Sequence, residues 1–255
     1  MSSAQLKGIA AITLAALTVC ASCIPAVAGA FNVKPIRVFL SKDGSSTVVT
    51  IENQDQNVLR LQVRAYAWTN DSHGQPVLAP TDDLIVFPTL VDVNPMEHRS
   101  IRIGYNGAPG TKELTYRIAL DEMPSLESQI SKYHAPGLQV RTRVTIPVFF
   151  TPMVANPDAK VSDVTVSHST VRGKVVNNGN VHATVSNIEI SGRDAGGGKV
   201  FDKQINGWYV LAGETWNFEA NLGRACAKVR TIDVTMQSDV GRVQRTLEAP
   251  AGACR

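Results

Sequence analysis

The histidines of this sequence could bind a metal through their ring nitrogens. None of them stands at a ligand spacing from another histidine, a cysteine or a carboxylate. The five are His73, His98, His134, His168 and His182. No G-x-S-x-G turn, which would present a nucleophilic serine, occurs either. The sequence therefore predicts no metal site and no cofactor.

Two other stretches contain residue types common in catalytic or nucleotide sites. The run "GRDAGGGKV" at 192–200 has the composition of a phosphate-binding loop. Its glycines do not fit the Walker spacing, and Val200 stands where a serine or threonine must follow the lysine, so it predicts a hairpin loop. Asp121 and Glu122 are adjacent, and neighbours on a strand point to opposite faces. The sequence thus argues against nucleotide binding and against an enzyme.

The charge of the chain is nearly balanced. Lysine and arginine number 25 against 22 aspartate and glutamate residues, which gives a formal net charge of +3. No dense basic tract is present, so the sequence does not predict a nucleic-acid partner.

Residues 1–30 are typical of a signal peptide. Lys7 is followed by the apolar run "IAAITLAALTVCA" and by the small residues "AVAGA". Cleavage after Ala28 or after Ala30 fits, and we favour Ala30. The run is too short for a spanning helix, and the residues before Cys23 match a lipoprotein signal poorly, which leaves a membrane anchor and a lipoprotein as the weaker alternatives. The sequence predicts an exported protein.

Two cysteines remain beyond this segment, Cys226 and Cys254. In an oxidising compartment a pair of cysteines favours one disulfide. Neither has another cysteine or a histidine nearby at ligand spacing, which argues against a metal site.

The elements that must position any functional residue are short apolar or alternating runs separated by turn sequences. The first group of seven is "IRVFL", "STVVTIEN", "VLRLQVRAYAW", "LIVFPTLVDV", "RSIRIGY", "LTYRIALDEMP" and "GLQVRTRVTIPVFFTP". The second is "VSDVTVSH", "TVRGKVVNN", "HATVSNIEISG", "KQINGWYVLAG", "WNFEANL", "VRTIDVTMQ" and "RVQRTLEAP". Pro152 and Pro157 mark the join. The pattern predicts an all-β chain with two immunoglobulin-like β-sandwiches, at 31–152 and 153–255.

The stretch at 138–150 is much longer than a common strand. Its alternate positions form one mostly apolar face: Leu138, Val140, Thr142, Val144, Ile146, Val148 and Phe150. Thirteen residues would reach about 43 Å, whereas common strands have about 5–6 residues. Pro147 lacks an N–H group, which indicates an edge strand or a bulge there. The strand could pair with a partner's sheet, or its side chains could simply fill this domain's own core.

Five further motifs resemble the periplasmic pilus-assembly chaperones, the PapD-like family of the chaperone–usher pathway. They are "IRVFLSKDGSSTVVTIEN", "LIVFPTLVDVNPMEHRSIRIGYNG" with Met96 in place of the family's glycine, "YRIALDEMP", "VVNNGNVHATV" and "WYVLAGETWNF". Together with the long strand they follow one another in the family's order along nearly the whole chain after residue 30. The "IPVFF" ending is more similar to the archaic, Csu-type branch.

This resemblance implies a boomerang of two immunoglobulin-like domains that holds a pilus subunit in its cleft. The last strand of the first domain would be lent to the subunit, with Leu138, Val140, Thr142, Val144 and Ile146 as donor side chains.

Family members anchor the subunit's C-terminal carboxylate with two basic residues. Arg37 matches the first, and Pro147 stands where the second, a lysine, is usual. The resemblance leaves open whether another base replaces that lysine, and the sequence offers Arg102, Arg141 and Arg143.

The family's ion pairing between domains is matched only in part. Glu122 and Asp239 match its two acids, while Thr151 stands in place of the usual arginine.

We therefore predict a periplasmic chaperone that binds, folds and caps pilus or fimbrial subunits without nucleotide and delivers them to an outer-membrane usher. The alternative is a two-domain exported structural or adhesive protein that keeps its long strand to itself.

Overall fold

The computed structural model describes residues 31–124, 141–250 and 253. Apart from the short 3₁₀ helix Gly223–Lys228, the regular elements of these residues are all β-strands. They form four sheets, two built from residues 31–150 and two from residues 159–248. The predicted signal segment, residues 1–30, lies outside the described residues. In the part of the chain that is described, we find no helix with the length and apolar character needed to cross a membrane.

The first sandwich contains ten strands. They are β1 (Phe31–Lys34), β2 (Val38–Leu40), β3 (Ser46–Asn53), β4 (Leu59–Asn70), β5 (Pro76–Pro80), β6 (Leu84–Phe87), β7 (Leu90–Val93), β8 (His98–Tyr105), β9 (Leu114–Glu122) and β10 (Arg143–Phe150). One sheet has the order β1-β3-β8-β6, and the other has the order β2-β10-β9-β4-β5, with β7 also paired to β4.

Alternation along the strands builds the core of this sandwich. In β3, Val49 and Ile51 are fully buried, and in β9, Ile118 and Leu120 are fully buried from the opposite sheet. Successive side chains on a strand point to opposite faces, so these apolar positions meet between the two sheets. The predicted run 84–93 forms two strands, because Pro88 interrupts it and cannot donate to a ladder.

The second sandwich repeats the design with eight strands. They are β11 (Ala159–Ser167), β12 (Thr170–Asn177), β13 (Ala183–Arg193), β14 (Lys199–Asn206), β15 (Tyr209–Val210), β16 (Thr215–Asn221), β17 (Thr231–Ser238) and β18 (Gly241–Glu248). The sheets have the orders β11-β12-β16 and β14-β13-β17-β18, and β15 pairs with β13. The predicted glycine-rich hairpin loop is confirmed between β13 and β14, where the Asp194 carboxylate accepts the N–H groups of Gly196 and Gly198.

An aromatic cluster joins the two sandwiches. Trp68 and Phe149 of the first are buried against Leu211 of the second. The Phe149 ring stacks on His182 with centroids 3.8 Å apart, and His182 Nδ1 lies 2.7 Å from Glu113 Oε2. Both polar partners are almost fully buried, so the pair is satisfied inside the junction.

A long hairpin of the first sandwich also reaches the second. Strand β4 has 12 residues, and at its end Asn70 donates to the Glu214 carboxylate from both its backbone N–H and its Nδ2, each at 3.0 Å. In the loop that follows, Ser72 O accepts the N–H of Asn217 at 3.0 Å. These bonds hold the hairpin against the strand β16 region of the second sandwich.

Candidate functional site

Strand β10 has one edge that is only partly covered. Along its whole length it pairs antiparallel with β9, from Arg143 opposite Asp121 to Phe150 opposite Leu114. On the other side β2 pairs only with the last three residues, beginning at Val148 opposite Val38. In the described ranges no strand covers that side from residue 143 to residue 147. The backbone groups along this segment are therefore open to a further strand.

The predicted donor side chains divide by their burial. Ile146 is only 2% exposed and belongs to the core of the first sandwich, so its assignment as a donor is corrected to a core position. Val144 is half-buried at the margin of that core. Thr142 precedes β10, is half-buried, and continues the pairing with β9 by accepting the N–H of Glu122 at 2.9 Å. Leu138 and Val140 lie outside the described residues.

Arg37 lies at the point where the cover of β10 begins. It is exposed in the bend just before β2, and β2 runs parallel to β10 with Val38 opposite Val148. Arg37 immediately precedes Val38, and Pro147 immediately precedes Val148, which are the first paired residues of the β2–β10 ladder. The two positions that the resemblance singled out for basic residues therefore both stand at the start of this ladder.

The three bases offered as substitutes at this site are placed differently. Arg143 begins the open segment of β10 and pairs with Asp121. Arg141 is exposed two residues earlier. Arg102 lies in β8 of the other sheet, where its Nη1 is 3.5 Å from Ser46 Oγ. The structure therefore does not bring Arg102 to the same sheet as Arg37.

Arg117 is the base that the sequence analysis missed. It lies in β9 directly opposite Pro147 and is only 6% exposed. Its guanidinium carbon is 4.0 Å from the ring centroid of Trp68 and 5.5 Å from that of Trp208, which places the cation between the sandwiches. Nη1 donates to Thr145 Oγ1 at 3.1 Å.

Two donors of Arg117, Nε and Nη2, are buried and have no hydrogen-bond partner among the residues that the structure describes. Burial lowers the pKa of Arg117, and the one group that raises it is Tyr209 rather than a carboxylate. An arginine remains protonated in proteins, so this site holds a buried positive charge. The sequence shows that Arg117 interrupts the apolar run of β9. It does not show which side chains surround Arg117.

Glu122 and Asp239 were predicted to make polar contacts between the domains. The Glu122 carboxylate accepts the N–H of Thr142 at 3.1 Å, and the Asp239 carboxylate accepts the N–H of Thr184 at 2.8 Å. The first bond lies within the first sandwich and the second bond within the second sandwich. The polar contacts across the junction come instead from other residues, such as the pair between Glu113 and His182.

Cys226 is buried and disulfide-bonded. Cys254 lies outside the described residues, so the pairing of these two cysteines stays a prediction. Among the residues that the structure describes, no group of three histidine, cysteine or acidic side chains could hold a metal ion.

Comparison with known proteins places this arrangement among related folds. Residues 30–155 match the family model of the N-terminal domain of PapD, described as a pili and flagellar-assembly chaperone. A search of curated protein sequences finds no match to this chain.

Solved structures with the same fold extend the likeness over most of the chain. The chain is similar to a chaperone–tip adhesion subunit pre-assembly complex, CsuC–CsuE, from archaic Csu pili of Acinetobacter baumannii, with 19% identity, a TM-score of 0.58, and 86% of this chain and 98% of that chain covered. The class 5 fimbriae chaperone CfaA gives 16% identity, a TM-score of 0.55, and 87% and 100% coverage. The CupB2 chaperone of Pseudomonas aeruginosa is 16% identical with a TM-score of 0.52, and the match covers 86% of this chain and 100% of that chain. The structural likeness over most of both chains shows that they share the two-sandwich fold.

Proposed function

Residues 30–155 of this chain belong to the family of pili and flagellar-assembly chaperones, and from that premise we propose that the chain caps pilus or fimbrial subunits with its strand β10. Its relatives are chaperones rather than enzymes, and it acts as a chaperone in pilus assembly. One observation supports strand donation in particular. Within the described residues the segment 143–147 of β10 is paired on one side only, and it follows a stretch at 138–142 with alternating apolar residues.

The donated strand would supply the free energy that other chaperones take from a nucleotide. Backbone groups along the open edge would bond to the subunit's sheet, and the apolar side chains of Leu138, Val140 and Val144 would enter its groove. Burying an apolar side chain contributes roughly 1.5–3 kcal/mol before the cost of ordering both partners. Three such side chains would contribute roughly 4.5–9 kcal/mol before those costs, and this contribution needs no nucleotide.

The rest of the assignment follows the family. Residues 1–30 direct export to the periplasm, 31–152 form the first domain with Arg37 as an anchor for the subunit's C-terminal carboxylate, and 153–255 form the second. Delivery of the capped subunit to an outer-membrane usher completes the pathway. The gap between the end of β10 at Phe150 and the start of β11 at Ala159 supports the position of the join.

Hydrogen exchange tests the donation. The tagged full-length protein is purified alone and with the subunit that co-purifies from the periplasm, and backbone amides along β10 are compared. We expect amides from Arg143 to Ile146 that face the open edge to exchange quickly in the free protein and slowly in the complex. Amides of Val148 to Phe150, already bonded on both sides, act as the internal control. Equal exchange of the first group in both states, or the absence of any co-purifying subunit, would reject the proposal.

A further inference from the structure

Asn70 ends strand β4 at the junction between the sandwiches, and it bonds to three different residues there. Its Oδ1 accepts the indole N–H of Trp68 at 2.9 Å. Its Nδ2 donates to Tyr209 O at 3.1 Å and to Glu214 Oε2 at 3.0 Å, and its backbone N–H donates to Glu214 Oε1 at 3.0 Å. Trp68 belongs to the first sandwich, whereas Tyr209 and Glu214 belong to the second. One half-buried residue therefore links the two sandwiches.

The chemistry of these partners fits an asparagine in one orientation. The indole N–H of Trp68 donates, whereas the Tyr209 carbonyl and the Glu214 carboxylate accept. An amide that turns its oxygen to the donor and its nitrogen to the two acceptors satisfies all three groups. Aspartate at this position would instead face the Glu214 carboxylate with a second negative charge. The site therefore requires a donor and an acceptor on one short side chain.

The second sandwich holds its side of this network in place. Glu214 lies in the turn before β16, where its backbone N–H donates to Leu211 O at 3.0 Å. Its carbonyl accepts the N–H of the buried Asn177, also at 3.0 Å. Leu211 packs against Trp68 in the aromatic cluster of the junction. The same turn thus offers the first sandwich both an apolar and a polar contact.

The polar contact supplies a direction that the apolar contact lacks. Burial of Trp68, Phe149 and Leu211 against one another is favourable at many relative angles, because hydrophobic association is non-directional. Hydrogen bonds weaken steeply as the donor turns away from the acceptor. The three bonds that Asn70 makes across the junction therefore favour one relative orientation of the sandwiches over the others.

The network also reaches strand β10. The Trp68 ring lies against Phe149 near the end of β10, with the ring centroids 5.9 Å apart. The backbone of Trp68 is tied to the neighbouring strand β9, because Thr115 Oγ1 donates to Trp68 O at 2.7 Å. The bonds of Asn70 therefore set the position of β10 relative to the second sandwich.

We propose that Asn70 is a positioning residue that fixes the angle between the two sandwiches, and with it the width of the space between them, before a subunit binds. Preorganisation of this kind lowers the ordering cost of binding. The effect on the subunit rests on the proposed function, whereas the fixed angle rests on the hydrogen bonds of Asn70 and exists in the isolated protein.

The first experiment measures the angle without any subunit. Nitroxide labels are attached through ketone-bearing unnatural amino acids at the exposed positions Glu52 and Lys203, one in each sandwich. Pulsed electron–electron double resonance then records the distribution of distances between the labels in the full-length mature protein. We expect one narrow distribution for the wild-type background. Asn70→Asp sets two carboxylates against each other and should broaden it roughly twofold or more. An unchanged width overturns the proposal.

Two further variants separate positioning from general damage. Asn70→Asp combined with Glu214→Gln restores a donor and an acceptor across the junction and should return the narrow distribution. Asn217→Asp is the matched control at the same junction, because Asn217 bonds to Ser72 O through its backbone N–H, and it should leave the width unchanged. A double variant as broad as Asn70→Asp, or an equal broadening by Asn217→Asp, overturns the role of Asn70.

Circular dichroism checks that each variant is folded. If Asn70→Asp does not fold, Asn70→Ala, which adds no charge, is measured in its place with the same expected broadening. A width equal to that of the wild-type background in Asn70→Ala then overturns the proposal.

The second experiment measures capture of the subunit from the periplasm. Asn70→Asp should lower the yield of complex by roughly threefold or more, because the unfixed angle adds an ordering cost. The double variant should recover the yield, and Asn217→Asp should leave it unchanged. A wild-type yield from Asn70→Asp despite a broadened distribution overturns the effect on the subunit, while the chaperone function stands. If the wild-type protein captures none, the proposed function fails, and the label distances still decide whether Asn70 fixes the angle.

Discussion

The two halves of β10 are one continuous strand with different surroundings. From Val148 to Phe150 the strand is bonded on both sides and its side chains are at most 1% exposed. From Arg143 to Pro147 the one described strand that bonds to it is β9, and Val144 and Thr145 are half-buried. The comparison shows that a single strand can be fixed at one end and left available at the other.

The division has a local cause. Strand β2 has only three residues, because Pro35 and the bend at Ile36 and Arg37 precede it and keep the chain from pairing earlier. Pro147 stands at the boundary, where it can donate no ladder bond. The cover of β10 therefore ends at the residue where a chaperone would need its open edge to begin.

The largest effect on stability is expected in the half of β10 that is bonded on both sides, from Val148 to Phe150. Val148 is fully buried in the first core, so Val148→Asp places an unpaired carboxylate among apolar side chains. We expect a loss of about 4 kcal/mol or more in the free energy of unfolding, enough to unfold much of the protein. Thermal melting followed by circular dichroism measures it. Retention of a near wild-type melting temperature would show that this half is not core.

The same substitution eight residues earlier should behave in the opposite way. Val140→Asp should change the free energy of unfolding of the isolated protein by only about 0.5 kcal/mol, as substitutions away from the core do. It should nevertheless abolish subunit capture, because the charge would be buried without a partner in the subunit's groove at a cost of several kcal/mol. Melting and periplasmic co-purification are measured on the same preparation. If Val140→Asp destabilises the free protein as much as Val148→Asp, the strand is ordinary core along its length.

A smaller effect is expected at the boundary between the halves. Arg37→Ala removes an exposed side chain just before the β2–β10 ladder, so the free protein should melt like the wild type. A hydrogen bond to a charged group contributes about 1.5–3 kcal/mol, which corresponds to roughly 10- to 100-fold weaker binding of the subunit. Competition between wild-type and variant protein for one subunit preparation measures the ratio. Equal shares would remove Arg37 from the anchor.

The smallest effect on stability is expected at Arg143, on the polar face of the half of β10 from Arg143 to Pro147. Arg143 is more than half exposed and pairs with Asp121, and exposed ion pairs are worth about 0–1 kcal/mol. The hydrogen bond to Asp121 raises the pKa of Arg143, which remains charged at every pH of interest. Arg143→Gln should therefore lower the free energy of unfolding by less than about 1 kcal/mol in urea denaturation. A loss as large as that of Val148→Asp would mean that this half is held as firmly as the other.

Most of the fold could be predicted from alternation and turn chemistry. The run predicted at 46–53 coincides with β3, and those at 114–124 and 216–222 differ from β9 and β16 only at their ends. Strand β5 escaped because its five residues begin and end with proline and show no alternation. Strand β1 escaped because it immediately follows the segment assigned to the signal peptide.

The site was less accessible to sequence reasoning, because its partners are far apart in the chain. Glu113 and His182 are 69 residues apart, and no spacing rule joins them. Arg117 is recognisable as unusual only when Trp68 and Trp208 are known to surround it. Ile146 fits the same apolar alternation as Val144, and only the packing of the first core separates them.

The long β4–β5 hairpin has a consequence for how this protein denatures. At its tip Gly74 has a φ of +77°, and a Cβ there would lie 2.9 Å from the Trp216 ring of the other sandwich, so the turn fits closely against it. Strand β4 also carries Leu61 and Val63 into the core of the first sandwich. Melting of that core therefore withdraws the hairpin from its neighbour, and the two sandwiches share contacts that neither keeps alone. We expect calorimetry to record one cooperative transition, with equal calorimetric and van't Hoff enthalpies, rather than two separate ones.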